Sequence, residues 1–130
     1  MPAGSFAVST SKTMQFADIT APVQKAVTAS GIQEGVCHVY NPHTTAGLTI
    51  NEGADPAVQT DILTALQKIV PMIQYQHLEG NSPAHVMALL VGSSITVFID
   101  NGRLQLGTWQ KIFFCEFDGP RSRKVLWRIV

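Results

Sequence analysis

The stretch SITVFIDNG, residues 94–102, decides the fold class because it joins a strand pattern to a strong turn signal. Polar and apolar residues alternate over Ser94 to Asp100, as in a strand with one buried face. Asn101-Gly102 favours a type I′ hairpin turn, because both central residues of that turn need positive φ. The stretch therefore predicts antiparallel strands, with further ones over Gly107 to Phe117 and Lys124 to Val130.

Two helices and a short third one are predicted upstream of this hairpin. Asp55-Pro56 places an N-cap residue before a proline at the first helical position, which predicts a helix to about Val70, ended by Pro71. Its predicted buried stripe is Val58, Ile62, Leu63, Leu66 and Ile69. A helix over about 20–30 is predicted to start at Asp18 or Thr20, to end before Gly31 and to bury Val23, Ala26 and Val27. The short helix is predicted over about 83–90.

Strands are also predicted over about 5–16, 35–41 and 47–51, and we expect about seven strands in the whole chain. The helices come early and the strands dominate late, so we expect an α+β fold with a mainly antiparallel, β-sandwich-like sheet and two or three helices. No linker divides the sequence, and 130 residues suit a single domain over 1–130.

The composition excludes several classes of protein. Hydrophobic residues make up 45% of the chain and charged residues 14%, which is too apolar for a disordered segment. The formal net charge is zero, so we expect neither nucleic-acid nor membrane binding. The N-terminal residues lack a signal-peptide pattern, and Cys37 and Cys115 lie in apolar runs as expected of buried thiols. These features predict a cytoplasmic protein.

Basic residues are concentrated near the C-terminus. Five of the nine lie from residue 111 onward, namely Lys111, Arg121, Arg123, Lys124 and Arg128. Either they form a local anion site, or they are the solvated charges that protect the edge of a sheet.

Three of the four histidines lie in loops or at loop–helix junctions, where binding residues concentrate: His43, His77 and His85. Three imidazoles with one open position can hold a catalytic zinc ion, and imidazole also suits copper, nickel and iron. The spacing alone does not require convergence, so separate surface histidines are the alternative. His38 lies in the middle of a predicted strand and is interpreted as a partly buried strand residue.

Carboxylates near these histidines are candidates for acid–base roles. Glu52 and Glu79 are the two predicted catalytic acids or bases, and each could also orient an imidazole by accepting its second N–H. A charge in the first turn of the following helix is the alternative role of Glu52.

Several stretches resemble the secondary thiamine-phosphate synthase family, long catalogued as uncharacterised proteins. They are PHTTAGLTINEGADP (42–56), HLEGNSPAH (77–85) and LLVGSSITVFIDNGRLQLGTWQKIFFCEFDGPRSRKV (89–125). The resemblance implies a small β-sandwich-type fold and a homotrimer. It also implies that His43, His77 and His85 converge on a divalent metal, with zinc the first choice. The implied activity joins a pyrimidine-methyl diphosphate to a thiazole phosphate with loss of pyrophosphate.

Such a reaction needs groups that stabilise negative charge on phosphate oxygens. Arg103 is the predicted catalytic cation, and the predicted binding residues for a phosphorylated substrate are Thr44, Thr45, Asn51, Asn81 and Lys111. A solvated hairpin flank is the alternative for Arg103, and turn or strand roles are the alternative for the threonines. Trp109 is interpreted as a core or subunit-interface residue.

Two functions are therefore expected from the sequence. The first is a metal-dependent enzyme that acts on a phosphorylated small molecule. The second is a non-catalytic trimer that binds a metal or a small anion. A fourth protein ligand on the metal would close the site and favour the second function.

Overall fold

The computed structural model describes residues 1–130, which form eight strands and three helices. In chain order these are β1 (Ala3–Ser9), β2 (Gln15–Asp18), α1 (Thr20–Ser30), β3 (Glu34–Tyr40), β4 (Ala46–Glu52), α2 (Pro56–Ile69), α3 (Ser82–Val91), β5 (Ser94–Asp100), β6 (Arg103–Leu104), β7 (Gln110–Glu116) and β8 (Ser122–Ile129). All paired strands are antiparallel. The predicted α+β class with a mainly antiparallel sheet is confirmed.

The strands form two sheets that enclose the main core. One sheet has the order β1-β8-β3-β5-β6, and the other has the order β2-β7-β4. The core cluster joins Val39 and Val125 of the first sheet to Leu48 and Phe114 of the second. Val23 and Val27 of α1 belong to the same cluster, as predicted. Burial of these side chains between two sheets supplies most of the driving force for the sandwich-like arrangement.

A second apolar cluster covers the other face of the three-stranded sheet. Phe113, Cys115 and Phe117 supply the sheet side, and Ala84 and Met87 of α3 lie against them. This packing fixes α3 beside β4. A Cβ atom on Gly47 would lie 2.8 Å from Cγ1 of Val91, so the absence of a side chain there permits the close approach.

The predicted hairpin is confirmed at Asn101-Gly102. Both residues have positive φ, 52° and 75°, and Asp100 pairs with Arg103 across the turn. The short strand β6 that follows is the outer edge of the larger sheet.

The predicted N-cap of α2 is confirmed. For α1 the predicted N-cap is wrong, whereas the predicted end before Gly31 is confirmed. The Asp55 carboxylate accepts the N–H of Ala57 at 2.9 Å, and Pro56 is the first residue of α2. The N-cap position of α1 is Ile19, which provides no side-chain hydrogen bond, because Asp18 instead accepts the N–H of Thr20. Gly31 ends α1 in the left-handed conformation.

Three other predictions from the sequence need correction in whole or in part. The expected strand over 5–16 is two strands in different sheets, because a turn interrupts it where Gln15 Oε1 accepts the Ser11 N–H. The stripe on α2 is only partly buried: Leu63 and Leu66 pack against the second cluster, but no α2 side chain is fully buried and Ile69 is 65% exposed. Trp109 is also 65% exposed, so it lies outside the core, and the alternative of a subunit-interface residue stays a prediction.

Both cysteines are buried and unpaired, as predicted. No helix has the length and apolar character that a membrane span requires.

Candidate functional site

All three predicted histidines line one open cavity of about 460 Å³ at the junction of four chain segments. None of the eleven lining residues is hydrophobic: Pro42, His43, Thr44, Thr45, His77, Glu79, Asn81, His85, Asp118, Arg121 and Arg123. The segments are the β3–β4 loop, the loop before α3 with the start of that helix, the β7–β8 loop and the start of β8. The cavity is therefore a product of the tertiary fold, which explains why sequence spacing gave only a weak signal.

Asn41 holds the first of these segments in place. Its side chain is buried, its Oδ1 accepts the N–H of His43 at 2.9 Å, and its Nδ2 donates to the carbonyl oxygen of Ala46 at 2.8 Å. A short polar side chain that bonds to its own loop in this way stabilises a turn. Asn41 therefore fixes the path of the loop that carries His43, Thr44 and Thr45.

The ring of His43 is fixed by β8 and by the core. Its Nε2 lies 2.9 Å from the backbone nitrogen of Lys124, and its ring meets Phe114 edge-on at 6.4 Å between centroids. Burial and the nearby Arg123 guanidinium lower the pKa of His43 below its ordinary value. When Nε2 accepts the Lys124 N–H, the neutral ring carries its proton on Nδ1 and can donate on its other side.

His85 and His77 form an edge-on pair with ring centroids 5.6 Å apart. Nδ1 of His85 lies 3.0 Å from the carbonyl oxygen of Thr44, which can only accept, so Nδ1 carries the proton in this bond. Nε2 of the neutral His85 ring therefore has a free lone pair. Nε2 of His77 lies 3.9 Å from a carboxylate oxygen of Glu79. This wall of the cavity presents imidazole nitrogens beside an exposed carboxylate.

A buried ion pair between Arg123 and Glu116 lies under the cavity. The Arg123 guanidinium donates to both Glu116 oxygens, once through Nε at 2.9 Å and once through Nη2. Nη2 also donates to the Thr45 hydroxyl at 2.9 Å, and the Thr10 hydroxyl donates to Glu116 at 2.7 Å. Burial raises the pKa of Glu116, but the hydrogen bonds from Arg123, Thr10 and the Asp118 N–H outweigh it and hold the pKa below its ordinary value.

A second ion pair lies at the rim. Arg121 donates through Nε to the backbone carbonyl of Asp118 at 2.8 Å and through Nη2 to its carboxylate at 3.1 Å. Nδ2 of Asn81 donates to the same carboxylate at 2.9 Å, while Oδ1 of Asn81 is buried without a donor. Burial raises the pKa of Asp118, and the bonds from Asn81 and Arg121 bring it below its ordinary value.

The depressed pKa of Glu116 predicts an acid-sensitive fold. A carboxylate with a lowered folded-state pKa contributes stability above its unfolded pKa, and that contribution is lost as the pH falls through the folded value. We expect the free energy of unfolding of the wild type to fall more steeply between about pH 5 and about pH 2 than that of an Arg123→Met/Glu116→Leu variant. Urea titrations across this range measure both slopes, and parallel profiles would contradict the assignment.

The predicted metal-binding centre is not assembled. No group of three or more His, Cys, Asp or Glu side chains is close enough to hold a metal ion. His43 directs Nε2 to the backbone of Lys124, and His85 directs Nδ1 to the carbonyl oxygen of Thr44. The three histidines therefore share one cavity without forming a metal-binding group, and their role as metal ligands stays a prediction.

The other predicted site residues separate into two groups. Glu79, Thr44, Thr45 and Asn81 line the histidine cavity. A second set does not: Glu52 and Asn51 lie at the far end of β4, and Arg103 and Lys111 line a different cleft. Ala46, at the start of β4, lies beside the cavity. Because a strand rises about 3.3 Å per residue, Glu52 lies about 20 Å farther along the same strand. The Glu52 carboxylate accepts the N–H groups of Ala54 and Asp55 before α2, a structural role.

Sequence reasoning missed Glu116, Asp118 and Asn41. The interpretation of the C-terminal basic residues as solvated charges is wrong for Arg123, which is only 7% exposed. A signal was present in EFDGPRSR, residues 116–123, where two acids precede two arginines across a Gly-Pro turn. The interpretation of His38 as partly buried is also wrong. His38 is exposed on β3, where its Nδ1 lies 3.1 Å from the Thr96 hydroxyl.

Comparison with known proteins identifies relatives over nearly the whole chain. A family model described as "UPF0047 protein YjbQ-like" matches residues 4–130. A UPF0047 protein from Methanocaldococcus jannaschii is 46% identical over 126 residues, which cover 96% of this chain and 91% of that one. The UPF0047 protein YugU from Bacillus subtilis is 48% identical over 118 residues, 89% of each chain.

Solved structures agree with this relationship. A crystal structure of a YjbQ/UPF0047-family protein from Clostridium acetobutylicum has a TM-score of 0.94 and 54% identity, and the match covers 97% of this chain and 98% of that one. A YbjQ-like protein of unknown function from Sulfolobus solfataricus has a TM-score of 0.93 and 34% identity, with 98% and 94% coverage.

These findings correct the family and the function that were expected from the sequence. The relatives carry UPF0047 names, and none of those names states a thiamine-phosphate synthase activity. The expected metal-dependent synthase reaction therefore has no support in the relatives or in the geometry of the histidines. The matched family model and the identities above show instead that the chain belongs to the YjbQ/UPF0047 family.

Proposed function

We propose that the histidine cavity binds a small phosphorylated molecule. The observation that carries this proposal is the composition of the wall: two arginines and three histidines line a cavity that has no hydrophobic lining residue. Sites for small molecules are usually mostly apolar with few polar groups. A wall whose only apolar side chain is that of Pro42 favours a compact ligand that is polar over most of its surface.

The arginines supply donors that the protein leaves uncommitted. Arg121 uses Nε and Nη2 on Asp118, and Arg123 uses Nε and Nη2 on Glu116 and Thr45. Nη1 of each guanidinium has no partner within the protein. Guanidinium groups held in place by carboxylates are well suited to phosphate oxygens, because little side-chain entropy is lost on binding.

The other walls provide both donors and an acceptor. The hydroxyl of Thr44 is exposed at the cavity and has no hydrogen bond within the protein, so it can donate to a ligand oxygen. Nε2 of the neutral His85 ring is an acceptor, since Nδ1 carries the proton in its bond to Thr44. A ligand with a hydroxyl near its phosphate would satisfy both kinds of group. The Glu79 carboxylate also lines the cavity, so Glu79 or Nε2 of His85 could accept a proton from that ligand hydroxyl.

Ribose 5-phosphate and ribose are a matched pair of probes for this proposal. We expect ribose 5-phosphate to shift the backbone amide signals of Thr44, Thr45 and Asn81 in a two-dimensional NMR titration, and we expect ribose to shift them far less. Arg121→Gln should weaken binding about tenfold, because a charge-assisted hydrogen bond contributes about 1.5–3 kcal/mol.

Arg128→Gln is the control, since it removes the same charge from the exposed face of β8 away from the cavity. Equal shifts with both sugars would show that the phosphate is not recognised. Equal weakening by Arg121→Gln and Arg128→Gln would show that only the net charge of the protein matters.

We also propose that the protein forms a homotrimer. Its accessible surface of 7540 Å² exceeds the roughly 6,700 Å² expected for a monomer of 14.1 kDa, which supports self-association. Met72, Ile73 and Leu78 are exposed next to the histidine cavity and α2. Light scattering on the protein as it elutes from a size-exclusion column measures the mass of the assembly and so tests the trimer.

Two further proposals concern the cofactor and the compartment. The divalent cofactor, with zinc first, stays a prediction that metal analysis of the purified protein would test. For the compartment we propose the cytoplasm, and the buried unpaired Cys37 and Cys115 support a reducing environment.

A further inference from the structure

Arg103 and Lys111, which the histidine cavity does not use, meet in a separate cleft of about 540 Å³. The cleft lies between the start of α1, the β6–β7 loop and the start of β7. Neither cation forms an ion pair within the chain. The one carboxylate in the cleft, that of Asp18, already accepts the N–H of Thr20 at 2.9 Å. The cleft therefore has an excess of positive charge.

The position of Lys111 is set by a notch at Gly53, just after the paired strand β4 of the same chain. A Cβ atom on Gly53 would lie 2.0 Å from Cγ and 2.6 Å from Cβ of Lys111, so the lysine stem occupies the space of a missing side chain. The backbone of Gly53 is held by its own N–H, which donates to Trp109 O at 2.8 Å. Confining the stem in this way lowers the entropy that the lysine would lose when its ammonium group binds a ligand.

The walls of the cleft are also held in place, and they leave donors free. Gln24 joins α1 to β6, because its Nε2 donates to Gly102 O at 3.1 Å and its Oε1 accepts the Leu104 N–H at 2.9 Å. The Thr20 hydroxyl accepts the Ile112 N–H, which leaves its own proton free to donate. Oε1 of Gln110 accepts the Gly107 N–H, which leaves the Gln110 NH₂ group free.

We propose that this cleft is a second anion site, which binds a phosphate or pyrophosphate group between Arg103 and Lys111. Two uncompensated cations beside hydroxyl and amide donors match the three or more acceptor oxygens of such a group. The Asp18 carboxylate already accepts an N–H at the start of α1, so the two side-chain cations, and not the helix terminus, supply most of the attraction. The site is independent of the histidine cavity, and either one can bind without the other.

Inorganic phosphate is the probe, and site-resolved NMR separates the two sites. We expect phosphate to shift the amide signals of Thr20, Ala21 and Thr108. Lys111→Met and Arg103→Met should each weaken these shifts about tenfold, because each removes a charge-assisted contact while keeping most of the side-chain length. Lys68→Met, at the exposed end of α2, is the charge-matched control and should leave the affinity unchanged. Higher salt should weaken binding at this exposed site.

Gly53→Ala tests the notch and keeps both cations. We expect weaker phosphate binding at this cleft, because the new methyl group displaces the lysine stem, while phosphate shifts at the amides of Thr44 and Asn81 stay as in the wild type. Absence of shifts at Thr20, Ala21 and Thr108 in the folded wild type would overturn the proposal. So would a Lys111→Met variant that binds phosphate normally but changes the oligomeric mass, since the cleft would then serve contact between copies of the chain.

Discussion

Arg123→Met is expected to lower the free energy of unfolding by about 3–5 kcal/mol, because it leaves the Glu116 carboxylate buried without its counter-charge. The side chains of the two residues are 5% and 0% exposed, so water cannot replace the lost partner. Methionine matches the length of the arginine stem, so the loss reports the charge and its hydrogen bonds and not a large cavity. Urea unfolding of wild type and variant under the same buffer conditions measures the difference.

The Arg123→Met/Glu116→Leu variant separates an unpaired charge from a generally weakened fold. Replacing both members of a buried pair by apolar residues of similar volume is often nearly neutral. We expect the double variant to recover at least half of the lost stability, with Thr10 and the Asp118 N–H as the groups that still lose an acceptor. A double variant as unstable as Arg123→Met would place the effect in packing.

Phe114→Ala is expected to lower the free energy of unfolding by about 3–5 kcal/mol as well, through a different cause. Phe114 is fully buried, pairs across the three-stranded sheet with Leu48 and belongs to the cluster that joins the two sheets. Removing the ring leaves a cavity between sheets that strand pairing prevents from closing. Because the ring also contacts His43 edge-on, a change in the His43 NMR signals should accompany the loss.

Phe98→Ala is the matched control for that substitution. Phe98 lies on β5 with 60% of its surface exposed, so the same chemical change should alter stability by about 0.5 kcal/mol or less. Comparable losses from both variants would show that β propensity, and not the inter-sheet core, controls the effect. Urea unfolding is again the measurement.

Local sequence signals predicted those parts of the fold that local chemistry determines. The Asn101-Gly102 turn and the Asp55 cap each depend on residues within a few positions of one another, and both are confirmed. The failures occur where distant partners decide. The break between β1 and β2 depends on which sheet each strand joins, and the exposure of α2 depends on how little of the chain covers it.

The candidate site shows the same division. The surrounding turn signals placed His43, His77 and His85 in loops or at loop–helix junctions, and the fold brings them to one cavity. Their orientation could not be predicted, because Lys124 and Thr44, from other segments, decide which ring nitrogen is engaged. Glu52 and Arg103 belong to the same sequence blocks as the cavity residues, yet the extended geometry of β4 and the β5–β6 hairpin carries them to other parts of the molecule.

Hydrogen bonds between distant segments cross the histidine cavity, so ligand binding in the cavity stabilises the folded state. His85 is bonded to Thr44, and Asn81 to Asp118, across 41 and 37 positions of the chain, so unfolding destroys the cavity. A compound that binds only the folded chain stabilises it by mass action, by about 2.7 kcal/mol at a hundred times its dissociation constant. For a chain of this size such a gain raises the melting temperature by on the order of 10 °C. A library of phosphorylated metabolites can therefore be ranked by melting temperature alone, before any reaction is known.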